Sequence, residues 1–390
     1  LFHFGGNGSD HGVGLSQQGA RARANAGQTH AQILAHYYTG SALGTVAPGL
    51  RVRVRLADSY QPTSDVPARV VARGGSWQSA LFPGNTFPAD SYLEMTPDMG
   101  TWSASVFDAT DSLLARVSDA TDVLMEPAEP ATLFEMRFRD SLRRYDRYRG
   151  EMRLRLNGAG IQAINVVSMN DYLRGVVPAE MPATWHIEAV RAQAIASRGY
   201  AYAKLRTTGF FDLRPDSNDQ VYGGVNVEHW RSNAAVVDTD DVVVTVDGKP
   251  VQTYFFALAG GHTENNEYVF GVSAGGNVTS TPLSYLRGQP DLDPDGLPWD
   301  RNAPNFAWSS GSFTMAQLSA VLANDPRTAV GELNSVAFER GVSGRVYRAT
   351  LTGVAGTKVV SGNIFKSVYN AHKLSGGNLR SNMFYLQPTL

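Results

Sequence analysis

The chain has 390 residues, 43% apolar and 18% charged, a composition that supports a sizeable core and two or three domains. A formal net charge of −2, with the arginines scattered, excludes the basic footprint of a binder of nucleic acid or anionic membranes. There is no cysteine, which excludes disulfides, thiolate metal sites and a Cys nucleophile, and no apolar run reaches the ~20 residues of a membrane span.

The chain opens at Leu1 rather than Met, which reads as a processed start with any signal peptide already gone. Residues 1–45 begin with a Gly-rich run, Phe4 to Gly14. They pass into a helical pattern from Leu15 to Tyr38, whose alanines, with Ile33, Leu34 and Tyr37, form a small-residue packing face. Thr39-Gly40 supplies its stop. The glycines around His11 let backbone approach a ligand closely, but no Lys-Ser/Thr follows, so this is not a nucleotide phosphate loop. His11 itself reads either as a cleft residue or as a hydrogen-bonded core histidine.

Residues 46–135 read as a small β module. Arg51-Val-Arg-Val-Arg-Leu alternates, and Val66 to Val71 and Thr101 to Phe107 are short β-branched or aromatic runs between turns. Glu126-Pro-Ala-Glu-Pro-Ala reads as a linker.

Residues 136–285 hold the densest chemistry. Strand-like runs (Met152 to Leu156, Ile164 to Val167) lead to Val177-Pro-Ala-Glu-Met-Pro182, which places Glu180 in a stiff strand-to-helix turn. Pro182 pushes Met181 towards extended geometry, and Thr184 is the candidate N-cap of the helix that follows. A nearby helix N-terminus would favour the Glu180 anion, whereas burial against Tyr172, Met181 and Trp185 would favour its protonated form. Helix cap and acid–base group are both open to it.

The Ala-rich helix from about Trp185 to Leu205 puts Arg191 and Arg198 on one face and Gln193 and Ser197 on another. It is either a solvated Arg face on a packed Ala helix, or it lines a polar cleft with Gln193 and Arg198. Strands Asp241 to Val246 and Val251 to Leu258 are joined by a hairpin-type Asp247-Gly248 turn. Gly260-Gly261 then delivers His262, Glu264 and Glu267 to a cleft edge or a surface turn. His30, His36 and His229 show no metal-ligand spacing.

Residues 286–390 begin with an Asp/Pro loop and continue with a helix (Met315 to Leu322) and strands (Ser335 to Phe338, Arg345 to Leu351). Asp291, Asp293 and Asp295 match the start of a calcium loop. However, Asn302 stands where the bidentate Glu belongs, and Pro294 interrupts the loop. The whole reads as α+β, with mixed or antiparallel sheets rather than a doubly wound fold.

Tyr172-Leu-Arg-Gly-Val-Val-Pro-Ala-Glu-Met-Pro-Ala-Thr-Trp185, running into the helix Glu188 to Tyr200, closely resembles the core signature of the stage II sporulation protein D and amidase-enhancer family. Gly260-Gly-His-Thr-Glu264 with Tyr285-Leu-Arg, and Ser343-Gly-Arg345 with Leu379-Arg-Ser381, resemble further blocks of it. His11 to Ala20, ending in His36-Tyr-Tyr-Thr-Gly40, resembles its Gly-His-Gly-Val-Gly block; residues 50–130 stay outside the resemblance. In the sporulation members that block comes last, whereas here it comes first, like a circular permutation. Residues 1–40 are therefore expected to pack against the domain around Glu180, near the C-terminal strand. The family commonly has two Cys before Gln-Val-Tyr, which bind zinc in some members; Arg214 and Asp219 stand there instead. The Ser/Thr-rich approach to Gly-Gly becomes Ala257-Leu-Ala259.

The resemblance implies a peptidoglycan lytic transglycosylase acting on glycan strands, preferring those stripped of stem peptides. Glu180 matches the family's catalytic Glu. It would protonate the glycosidic oxygen, then take the proton of the muramic acid C6 hydroxyl as that oxygen closes on C1 to an anhydro sugar. Ordinary glycoside hydrolases need two carboxylates at a defined separation, whereas here the substrate supplies the nucleophile. The accompanying substrate-binding set is Gln193, Arg198, His11, Gln17, Tyr222, Tyr254, His262 and Glu264, with no metal and no cofactor. Residues 1–45 would be the permuted segment, 46–135 the β module, 136–285 the catalytic core, and 286–390 the rest of that domain. A secreted or wall-associated location follows, with glycan as partner. The alternative is a non-catalytic glycan binder that enhances a cell-wall amidase.

Overall fold

The alternating runs and Gly/Pro punctuation fold into an α+β structure, seen in a computed structural model that describes residues 1–63, 65–98, 101–138 and 145–389. Its helices are α1 (Gln17–Asn25), α2 (His30–Tyr37), α3 (Met169–Glu180), α4 (Ile187–Lys204), α5 (Trp230–Asp238), α6 (Met315–Leu322) and α7 (Gly362–His372). The chain divides into two units, one of residues 45–243 and one of residues 1–44 with 244–390.

In the first unit, strand 51–60 lies at one edge of a six-stranded sheet, next to 160–168, then 151–157, 122–127, 77–78 and 86–87. Its alternation buries Val52, Val54 and Leu56, as the sequence pattern requires. A second six-stranded antiparallel sheet holds 113–118, 101–107, 92–98, 68–73, 133–136 and 147–148. The buried indole of Trp77 donates to Ser91 Oγ (2.8 Å), which joins the two. The break expected at 135 is not a structural boundary. Strands 51–60 and 122–127 pair directly with 160–168 and 151–157, so the β module and the segment carrying Glu180 share one sheet. Glu126 and Pro127, expected in a linker, end a strand paired with Gln78 and Trp77.

Helix α3 was not legible as a helix, because two prolines crowd its end. Ser168 caps its start, its Oγ accepting the Asp171 N–H (3.1 Å). Pro178 sits in its last turns, where it lacks only one helical donor. The helix ends at Glu180 because Met181 turns extended (φ −137°, ψ 134°) before Pro182.

In the second unit, strand Phe2–Asn7 lies between 307–309 and 384–388, antiparallel to both. A further three-stranded sheet holds 333–340, 346–353 and 356–361. Helices α6 and α7 close a core of Phe4, Phe313, Leu318, Leu351, Phe365, Tyr369 and Phe384. The helix expected over 15–38 is two helices: Gly27 takes φ 91° and Thr29 starts α2 with a capping box. Asp247 (φ 50°) and Gly248 (φ 72°) form the expected hairpin turn. The strand expected over 251–258 does not continue; Phe255–Phe256 pairs in parallel with Leu15–Ser16 instead.

Candidate functional site

Glu180 is half-buried at the C-terminal end of α3, and its Oε1 accepts the Val221 N–H at 2.7 Å. The expected setting beside a helix N-terminus is corrected. Six residues separate it from α4, whose N-cap is His186 rather than Thr184. At the end of α3 the helix dipole opposes a negative charge, and the Val221 amide offers a local hydrogen bond to one. Below it, Tyr172 is fully buried and donates to Gln220 Oε1 (3.1 Å). Burial, with Tyr222, Asp219 and Glu180 adding to it, holds the Tyr172 phenol far above its ordinary range, so it remains a neutral donor. The loop after Glu180 is pinned by Arg231, which donates to Ala183 O (3.1 Å) and Trp185 O (3.2 Å).

The remaining residues expected in this unit serve packing. Gln193 and Arg198 are fully buried rather than open to a cleft. Gln193 Nε2 donates to Ser197 Oγ (3.0 Å), which fixes the shared face expected of α4. Arg198 reaches across α5 to Val242 O (3.0 Å) and Val236 O (3.3 Å); burial pulls its guanidinium down to about 10. Tyr222 is buried, its hydroxyl on Asn165 Oδ1 (2.8 Å), and its ring lies so close to α3 that a Cβ on Gly175 would come within 2.6 Å of it.

The two positions where cysteines were expected are tied in another way. Asp219 accepts the Arg214 N–H (2.9 Å) and the Tyr200 hydroxyl (3.3 Å), with Lys204 at 3.6 Å. This tie sets the Gln220-Val221 backbone that meets Glu180. The Gln-Val-Tyr run after an Asp-rich turn was its sequence signal, but only folding shows that an amide, not a side chain, is presented.

In the other unit, His11 Nδ1 accepts the Val13 N–H (3.0 Å), so Nε2 carries the proton and donates to Phe255 O (3.0 Å). Burial, assisted by Arg345 and Lys366, lowers His11 to about 4 and keeps it neutral. A Cβ on Gly12 (φ 85°) would come within 2.4 Å of the Arg345 guanidinium, which itself donates to Ala259 O and His262 O, both 2.9 Å. Glu264 is buried and closes the 341–343 turn, accepting from Ser343 Oγ (2.6 Å) and Val342 N (3.1 Å). Gln17 opens α1 and is buried. The Tyr254 ring packs tilted against Phe270 (centroids 4.4 Å apart), and the Tyr254 carbonyl accepts from Tyr38 OH (2.7 Å). His262 Nδ1 lies 2.7 Å from Thr263 O. Hydrogen bonds also join the Gly-rich block to the Leu379–Ser381 segment: the Asp10 N–H donates to Arg380 O (3.1 Å) and the Ser381 hydroxyl to Asn7 O (2.7 Å).

The three aspartates of the calcium-like loop do not converge. Asp291 is fully buried on Tyr37 OH (2.9 Å) and Arg23 (2.9 Å), while Asp293 takes Leu297 N (2.9 Å) and Arg301. Burial pushes the Asp291 carboxyl up, but His36 and Arg23 outweigh it and hold it below the usual range. Among the described residues no three such side chains gather as a metal would require.

Asp300 is buried with only Oδ2 occupied, by Gly260 N (2.8 Å); Oδ1 has no partner. Burial, with the Asp291 charge, raises it from 3.8 to about 6. A raised carboxyl stabilises the fold below its unfolded value and withdraws that stability as pH rises towards 6. Asp300→Asn is therefore expected to add about 2–3 kcal/mol at pH 7 and little at pH 4, read by urea titration at both. Equal effects at the two pH values would refute this.

Residues 157–246, which include Glu180, Gln193, Arg198 and Tyr222, match the family described as Stage II sporulation protein. The Bacillus subtilis amidase enhancer is 33% identical over 167 residues, 38% of this chain and 21% of that protein. The Bacillus subtilis stage II sporulation protein D is 26% identical over 191 residues, 44% of this chain and 51% of that protein. Residues 157–246 are thus a domain of the stage II sporulation protein D and amidase-enhancer type. An uncharacterized protein of Brachyspira hyodysenteriae is 41% identical over 113 residues, 28% of this chain and 31% of that protein. The matches span from about a fifth to about half the length of these curated relatives. Within the family segment of this chain, α3, α4 and the 213–222 turn form the surroundings of Glu180. Among the described residues no helix is long and apolar enough to cross a membrane.

Proposed function

We propose that the protein is a peptidoglycan lytic transglycosylase in which Glu180 serves as both acid and base. The observation that carries the reading is the half-buried Glu180 carboxylate, inside the family segment, with one oxygen on the Val221 amide. In the acid form Glu180 gives its proton to the glycosidic oxygen, and the bond to C1 breaks. As the carboxylate it removes the proton of the C6 hydroxyl, whose oxygen bonds to C1. The enzyme regains its starting protonation, and one carboxyl group completes the cycle without water or a second carboxylate. Gln220, Tyr172 and Arg231 act as positioning residues that hold the turn and the loop on either side of it. A cell-wall role accords with the relatives' names, and it requires a location outside the cytoplasm.

A second reading follows from the relative named amidase enhancer: a glycan binder that stimulates an amidase without cutting. Mass spectrometry of products from peptidoglycan with and without its peptides separates the two. The expected products carry 1,6-anhydro-muramic ends and form faster from stripped strands. Saturable binding with no such products supports the enhancer, and reducing ends without the anhydro ring indicate a two-carboxylate hydrolase.

A further inference from the structure

Strands 68–73, 92–98, 101–107, 113–118 and 133–136 lie outside the segment that carries the family match, and one face of their sheet borders a hollow. Alternation puts Arg69, Val71 and Arg73 on that face, while Ala68, Val70 and Ala72 are buried on the other. Pairing sets Val71 beside Tyr92 on one neighbouring strand and beside Glu135 on the other. With the 65–67 and 109–111 turns as walls, the face encloses a hollow of about 510 Å³. That size falls within the roughly 300–1,000 Å³ of small-ligand sites. At its base are Val71 and the edge of Tyr92, whose ring lies under the Arg69 guanidinium (4.2 Å); Val66 and Pro67 stand in one wall, and the rim carries Arg69, Arg73 and Arg137 together with Asp65, Asp90 and Asp111.

We propose that this hollow is a binding site for a neutral saccharide. The rim holds as many carboxylates as guanidinium groups, and its arginines are already compensated. Arg69 meets Glu94 (2.7 Å), Arg73 meets Asp90 (2.7 Å) and Glu135 (3.0 Å), and Arg137 meets Glu135 (2.6 Å). A phosphate polymer gains affinity from uncompensated positive charge, which this rim does not offer. A guanidinium keeps several of its five donors after one ion pair, and a carboxylate keeps acceptor sites. Sugar hydroxyls both donate and accept, so they match a rim of mixed donors and acceptors, and a pyranose C–H face matches the apolar wall of Val66 and Pro67 beside Val71. The ion pairs also hold the rim in place before binding, which lowers the ordering cost. The base is fixed in the same way: Tyr92 donates to Asp111 (2.5 Å) and stacks on Phe107 (5.2 Å). This site is separate from the chemistry at Glu180, since a glycan gripped here is held whether or not it is cut.

The test uses the full chain with chitotetraose, a neutral N-acetylglucosamine oligomer, followed by hydrogen–deuterium exchange and calorimetry. Slower exchange is expected in peptides covering 65–73, 90–92 and 107–112. Val66 is 58% exposed, so Val66→Trp fills the mouth without touching an ion pair. Val66→Trp and Arg137→Ala should each weaken this binding by about tenfold, with little dependence on salt. Glu180→Gln should leave the protection of these peptides unchanged, so a failure of the transglycosylase reading would not disturb it. Absence of protection there at millimolar sugar, or protection indifferent to Val66→Trp, overturns the proposal. So does displacement by inorganic polyphosphate with a steep salt dependence, which would mark a polyanion site.

Discussion

Glu180→Gln is expected to lower the rate of anhydro-product formation by about 10³-fold or more, with the fold unchanged. One positioned acid–base group contributes roughly 10²–10⁴-fold, and here one group is asked to serve two proton transfers. Glutamine keeps the shape and keeps an oxygen that can accept the Val221 N–H (2.7 Å in the wild type), so the loss falls on proton transfer alone. Thermal unfolding of the variant should match the wild type, and its glycan binding should persist. Glu180→Asp retracts the carboxyl by one methylene and should recover only a small part of the rate, because misplacement by about 1 Å can cost roughly 10²-fold. Cleavage by Glu180→Gln at a wild-type rate would remove the residue from the mechanism and leave Glu264 and Glu267 as the carboxylates to examine. Glu264 is a poor substitute, since its oxygens are engaged by the 341–343 turn and Asn265 N.

The second large effect concerns stability. Phe4 is fully buried, with the rings of Phe313, Phe365, Tyr369 and Phe384 centred 5.2–5.8 Å away. Its strand is the middle one of three, so the side chain and the backbone of the first seven residues are both integral to that unit. Phe4→Ala is expected to lose about 4 kcal/mol, the central value for emptying a buried aromatic site. Against a total stability of roughly 5–15 kcal/mol, such a loss leaves the unit marginal at 37 °C. Hydrogen exchange in peptides 2–7 and 384–388 should accelerate together, while strands 151–168 of the other unit keep their protection. A loss below about 1 kcal/mol would show that the N-terminal strand is an appendage.

Much of the architecture was legible in local pattern. The alternation of residues 51–56, the Asp247-Gly248 turn and the Met315–Leu322 helix each depend on neighbours within a few positions, and the structure has them. Where one local signal opposed another, sequence reading failed. The prolines near Glu180 concealed a helix that the Ser168 cap starts, and the alanines of residues 15–38 concealed the break at Gly27. Of the expected linker at 126–131, residues 126 and 127 are strand, paired with Gln78 and Trp77, and 128–131 form the turn to strand 133–136.

By itself, the sequence determined the α+β class, the absence of thiol chemistry and the family signature around Glu180, because each resides in residue identity and short spacing. Only the tertiary structure decided which polar residues remain available. Arg198, Gln193 and Tyr222 carry polar groups suited to a cleft, yet each is buried and engaged with carbonyls or side chains of its own unit. Burial and hydrogen-bond partnership depend on strands and helices far apart in the chain, which is why neither could be read from spacing. The same holds for the Val221 amide on Glu180, a main-chain group that identity cannot advertise and that only the 213–222 turn brings into place.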